Sequence, residues 1–176
     1  MGHVTLVLGG ARSGKSAHAE SLGKDHAGTR TYIATAELFD EEMRDRAAQH
    51  RIQRGEGWKT VEAPLDLVRT LIDEDAAGRF MLIDCITVWI GNLLHHEGDV
   101  GVEVARLCEA LVASEGEVAI VANEVGLGIV PDNALARRFR DEAGRANQAI
   151  AAAADEVVFL AAGIPIILKG SKRAPK

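Results

Sequence analysis

Cysteine is scarce in this 176-residue chain: only Cys85 and Cys108 occur. Both lie in apolar contexts without metal-ligand spacing, which reads as two buried free thiols in a reducing cytoplasm. Positive charge is not in excess either. Twenty Lys and Arg stand against 26 Asp and Glu, a formal net charge of −6, which argues against a general nucleic-acid or anionic-membrane surface. No apolar run approaches the ~20 residues of a membrane span. Met1-Gly2-His3 lacks the charged start of a signal peptide, and Val7 stands where a myristoylation signal would carry Ser or Thr. Repeats, low-complexity blocks and dividing linkers are missing too. These absences leave a single domain over residues 1–169, with 170–176 as a short basic tail, and 47% hydrophobic content is enough for its core.

The apolar pattern alternates along the chain. Strand-like runs fall at Val4–Leu8, Thr31–Ala34, Lys59–Glu62, Phe80–Asp84, Val118–Ala122, Glu156–Leu160 and Ile164–Leu168. Helical spacing falls between most of them, at Lys15–Lys24, Asp40–Arg54, Leu65–Ala76, Val88–His95, Val102–Ser114 and Asn133–Ala153. The last is clearest: Leu135, Phe139, Ala143, Ala146, Ile150 and Ala153 make one apolar stripe, with Pro131-Asp132-Asn133 as its entry and cap. Such alternation predicts an α/β fold, a mainly parallel sheet with helices on both faces. Ligands of such sheets sit outside the carboxyl ends of the strands.

Directly after the first strand comes Gly9-Gly10-Ala11-Arg12-Ser13-Gly14-Lys15-Ser16, a match to the phosphate-loop pattern G-x-x-x-x-G-K-[ST] in its required strand–loop–helix context. The glycines allow a tight turn whose N–H groups converge on phosphate oxygens, and the helix adds its positive end. Lys15 reaches the β- and γ-phosphates in this arrangement, and the Ser16 hydroxyl ligates Mg²⁺. The chain is therefore expected to bind a nucleoside triphosphate. Four apolar residues ending in Asp84 form the matching Walker B strand, and Asp84 is expected beside the phosphate loop as a second oxygen donor for Mg²⁺.

Other positions are read with two alternatives open. Phe39, Met43, Ala47 and His50 lie along one helical stripe with Arg44, Arg51 and Arg54 beside it. The pattern alone favours a structural histidine; the alternative is an imidazole that attacks nucleotide phosphorus while the arginines neutralise phosphate charge. Ala34-Thr35-Ala36 ends the second strand, expected next to the first, so that its amides and hydroxyl touch the nucleotide. Glu62 ends the third strand and can accept from a base or ribose. Asn123–Pro131 is a shaped loop at the ligand face, whose Glu124 shares with Asp84 the candidacy for kinase base. It is not the guanine-reading N-K-x-D of regulatory GTPases. His95 and His96 are adjacent and expected to point apart, which argues against a two-histidine metal site.

Taken together, Gly9–Ser16, Tyr32-Ile33-Ala34-Thr35-Ala36, Glu42-Met43 leading to His50, Trp58–Glu62, Asp84-Cys85-Ile86-Thr87, Asn123–Pro131 and Arg145–Gln148 resemble one family over residues 4 to 168. It is the bifunctional adenosylcobinamide kinase/adenosylcobinamide-phosphate guanylyltransferase family of cobalamin biosynthesis. The resemblance implies a cytoplasmic P-loop homotrimer that phosphorylates the aminopropanol hydroxyl of a corrinoid with ATP or GTP. It then implies transfer of GMP from GTP to that phosphate, with release of pyrophosphate, through a guanylylated histidine matched here by His50. By the same resemblance Gly9–Ser16, Ala34–Ala36, Arg51, Ile52, Gln53, Arg54, Glu62 and Asp84 bind GTP. Two departures stand out: the family often has Glu at Asp84, and a second histidine where this chain has Gln49. Rival classes are another P-loop small-molecule kinase with a structural His50, and a nucleotide-switched ATPase acting on a macromolecule.

Overall fold

In the computed structural model, residues 2–24, 26–37, 48, 51, 52 and 54–170 are described. Seven strands form one sheet: β1 (Val4–Gly9), β2 (Arg30–Ala34), β3 (Trp58–Glu62), β4 (Phe80–Asp84), β5 (Glu117–Asn123), β6 (Glu156–Ala161) and β7 (Ile164–Lys169). The described helices are α1 (Lys15–Lys24), α2 (Leu67–Glu74), α3 (Ile86–His95), α4 (Val100–Ala113) and α5 (Ala134–Ala153). Strand order is β3-β2-β4-β5-β1-β6-β7, parallel except for the β6–β7 hairpin. The sheet therefore matches the expected α/β architecture, with element ends shifted by one or two residues.

The core lies on both faces of the sheet. Leu6, Ile33, Ile83 and Ile120 point to one face, where Leu71 of α2, Trp89 of α3, Leu107 of α4 and Ile150 of α5 meet them in one buried cluster. Val7, Tyr32, Leu82 and Val121 point the other way and pack with Ala19 of α1. All six residues of β1 are buried, as suits a central parallel strand covered on both sides. Side-chain caps start the last two helices: Asp99 accepts from Val102 N–H at 3.1 Å, and Asn133 accepts from Ala136 N–H at 2.7 Å. The α5 stripe is narrower than its pattern suggests. Ala143, Ala146, Asn147 and Ile150 are buried, while Leu135 is 67% exposed.

One expectation about neighbours fails. β2 does not lie next to β1; β4 and β5 stand between them. Thr35 accordingly does not offer its hydroxyl to a ligand near the phosphate loop. It is fully buried, its Oγ1 donates to the Cys85 carbonyl and accepts from Cys85 N–H, both at 2.8 Å, and its own N–H donates to Asp84 O. These bonds tie the end of β2 to the corner where β4 delivers Asp84. Thr35→Val keeps the shape but strands a buried N–H and carbonyl, so chemical denaturation should show a loss of about 3 kcal/mol.

Candidate active site

The phosphate loop is shaped by contacts on both sides. Ser13 N–H donates to Gly10 O, and the turn of the β6–β7 hairpin clamps the loop from outside as Gly163 N–H donates to Ser13 O at 2.9 Å. A Cβ on Gly9 would stand 2.6 Å from the Leu160 carbonyl oxygen and 2.6 Å from Ser13 Oγ. Gly14 adopts φ +96°, a conformation that side chains disfavour, and a Cβ there would meet Gly163 Cα at 3.3 Å. Backbone approach leaves no room for a side chain at Gly9, and at Gly14 the positive φ together with a tight contact disfavours one.

Lys15 is 7% exposed, and its Nζ donates to the Gly10 carbonyl at 2.5 Å, across the loop. Burial lowers its pKa, against the opposing pull of Cys85 and Asp84. A cavity of about 480 Å³ runs over Ala11 to Ala17 and takes in Glu20, Asp84, Cys85, Val121 and Asn123. Ser16 and Asp84 thus face one space, although β5 separates β4 from β1. Register explains how: Gly9 is level with Asn123, and Asp84 is level with Val121 on the other side of β5. Hydroxyl and carboxylate are hard oxygen donors of the kind Mg²⁺ takes alongside phosphates and water. Among the described residues no group of three or more His, Cys, Asp or Glu could hold a metal on its own.

Asp84 is oriented by a residue that the sequence pattern did not single out as functional. Tyr32 OH donates to Asp84 Oδ2 at 3.2 Å; burial first, and then the charge of Asp84, drive the phenol's pKa up, so it stays a donor. The Arg54 guanidinium lies 3.5 Å from the centre of the same ring, and its Nη2 donates to Thr60 Oγ1 at 3.0 Å. Arg54 also lines a second cavity of about 280 Å³ with Arg30, Trp58 and Lys24, which shares Ala17 and Glu20 with the phosphate cavity. Tyr32 is the one tyrosine of the chain. A polar-tipped aromatic two residues from a strand end was the available signal, but its partner was set by the β2–β4 register.

The remaining candidates scatter. Arg51 and Ile52 are helical and exposed; Gln53 lies outside the described residues, as do His50, Gln49 and the Phe39–Ala47 stripe. Ala34 and Ala36 are half-buried beside Thr35. Glu62 is exposed on the edge strand β3, with β2, β4 and β5 between it and β1. Glu124 stays close to the loop, since its N–H donates to Gly9 O and its Oε1 accepts from Gly126 N–H at 2.7 Å. Cys85 is buried and its thiol pushed up to about 11 by burial and by Asp84, so it is no nucleophile; Cys108 is half-buried. His95 and His96 do not point apart: their rings meet edge to face at 5.2 Å, because His96 is already past the last turn of α3.

Comparison with known proteins decides the family. Residues 5–168 match the family described as cobinamide kinase / cobinamide phosphate guanyltransferase. The chain belongs to this family. It is 47% identical over 167 residues to the bifunctional adenosylcobalamin biosynthesis protein CobP of Pseudomonas aeruginosa, covering 94% of this chain and 96% of that one. It is 40% identical over 179 aligned positions to CobU of Escherichia coli, covering 93% and 98%. Among solved structures, the RadB recombinase superposes with a TM-score of 0.57 at 13% identity, covering 98% of this chain and 83% of that one. A protein of Pyrococcus horikoshii OT3 gives 0.58 at 10%, covering 97% and 87%. These two likenesses speak for the fold alone.

The contacts of the loop glycines separate neighbouring positions. A Cβ on Gly10 would meet nothing within 4 Å. Gly9→Ala should therefore lower the thermal midpoint by about 5 °C in a calorimetric scan, through the overpacking it forces. Gly10→Ala should leave the midpoint within about 1 °C.

Proposed function

We propose that this chain of the cobinamide kinase and guanylyltransferase family runs both reactions from the phosphate cavity, with His50 as covalent carrier of GMP. What supports the reading most is that Lys15, Ser16 and Asp84 face one cavity in a chain of this family. The family's activities imply nucleoside triphosphate and corrinoid substrates. No described helix is long and apolar enough to cross a membrane.

In the kinase reaction the acceptor hydroxyl oxygen attacks the γ-phosphorus, the bond to the β–γ bridging oxygen breaks, and the hydroxyl proton is lost. Lys15 and the loop N–H groups offset the charge on the equatorial and leaving oxygens. Asp84 or Glu124 takes the proton. In the second reaction an imidazole nitrogen of His50 attacks the α-phosphorus of GTP and pyrophosphate leaves. An oxygen of the acceptor's phosphate then displaces the histidine, which gives adenosylcobinamide-GDP. Ser16 and Asp84 would hold Mg²⁺, which supplies neutralisation of triphosphate charge when bound. Arg54, seated on Tyr32, follows His50 by four residues and would bring positive charge toward the nucleotide, with Arg51, Ile52 and Gln53 beside it. Ala34, Ala36 and Glu62 would complete the nucleotide's surroundings from the β2 and β3 ends. We propose also that residues 1–169 are the catalytic domain and that three copies assemble in the cytoplasm.

The test is covalent labelling by GTP carrying radioactive phosphorus at the α position, in the presence of Mg²⁺. Wild type should retain label after denaturation, lose it in acid but not in base, and His50→Ala should take none. Labelling should also fall as acid protonates the imidazole, because only its neutral form attacks. A wild type that binds GTP without taking label would leave a plain kinase with a structural His50.

A further inference from the structure

A separate groove of about 650 Å³ opens between the last turn of α3 and the first turns of α5, lined by Gly91, Leu94, Leu135 and Phe139 with Glu97 and Asn133 at its polar edge. It lies on the same rim of the sheet as the phosphate cavity. α3 runs across the carboxyl ends of the strands rather than back along them. Trp89 Nε1 donates to Leu65 O at 3.0 Å, and Asn92 Nδ2 donates to Thr35 O at 2.7 Å and Pro64 O at 3.0 Å, just beyond β3 and β2. The helix follows directly on Cys85, which lines the phosphate cavity, and ends in the groove; its ten residues span ~15 Å.

The other wall is tied to the same cavity. β5 ends at Asn123, in the phosphate cavity, and the chain reaches the groove at Asn133. The loop between them exposes Leu127 (83%), Ile129 (97%) and Val130 (63%). Aliphatic side chains at this exposure, beside an apolar groove and next to a phosphate loop, point to a large apolar ligand with a reactive end.

An acceptor with a corrin ring has that form. Its ring is broad, with apolar faces, an amide fringe and a cationic metal centre, and its reacting hydroxyl sits at the end of a flexible side arm. The ring must then rest an arm's length from the phosphorus that is transferred. We propose that the α3–α5 groove holds the ring, its apolar face on Leu94, Leu135 and Phe139, its amides toward Asn133 and its positive charge toward Glu97. This rests on the reading of the chain as a corrinoid kinase and guanylyltransferase.

Gly91 makes the groove testable without breaking the helix. A Cβ there would meet only the Phe139 ring, at 3.7 Å, an ordinary contact, so a side chain can begin at this place in the groove wall. Gly91→Leu and Leu135→Glu should leave covalent labelling by GTP within twofold of wild type, since that step needs no acceptor. Both should raise the KM for adenosylcobinamide and its phosphate at least tenfold, and abolish retention of cobinamide in equilibrium dialysis. Dialysis reads the groove without catalysis: if wild type takes no GMP label yet binds cobinamide, and Gly91→Leu does not, the groove assignment holds while the histidine mechanism fails. Unchanged dialysis and KM in both variants, or no cobinamide bound by wild type, overturns the proposal. So does a change of sedimentation coefficient in both variants with acceptor affinity intact, which would make the groove a contact between copies of the chain.

Discussion

Parallel strand pairing is the constraint on which the rest depends. Because β1, β4 and β5 all run the same way, their last residues Gly9, Asp84 and Asn123 emerge on one rim, within reach of a single cavity. An antiparallel neighbour would have carried the carboxylate to the opposite end of the sheet. Two faces buried under helices make this pairing stable, since the strands can be apolar throughout and still leave their ends polar.

Around that rim the fold spends many of its buried hydrogen bonds on holding corners. Thr35 joins the end of β2 to the Asp84–Cys85 corner, Asn92 joins α3 to the ends of β2 and β3, and Thr87 Oγ1 accepts from Asn123 N–H at 2.7 Å to join α3 to β5. Each of these bonds fixes a strand or helix end near the phosphate cavity, and in-line displacement at phosphorus requires groups held in fixed positions. Tyr32 works at the junction of the two roles. Its hydroxyl orients Asp84 and its ring seats Arg54, so one side chain links the carboxylate of the phosphate cavity to the segment that follows His50.

The phosphate cavity and the α3–α5 groove share one rim, while the second cavity follows α1 toward the starts of β2 and β3, and the three differ in character. The phosphate cavity is polar and closes around Lys15, the second is ringed by basic groups, and the groove is apolar with a polar edge. A reaction that joins a nucleotide to a bulky organic acceptor needs both kinds of surface in a fixed relation.

Local pattern alone determined the alternating α/β class, the strand–loop–helix phosphate site and the cap at Asn133, because each depends on residues near one another in the chain. The family, too, was legible from short motifs in order. Tertiary structure decided what depends on strand order. It put β4 and β5 between β1 and β2, turned Thr35 from a ligand group into a buried brace, and set Glu62 on a far edge. It also paired Tyr32 with Asp84 across two strands and laid α3 along the rim rather than beneath it. Hydrophobic periodicity says which face of an element is buried, but not which neighbour buries it. Contacts across the sheet were therefore not legible in the chain.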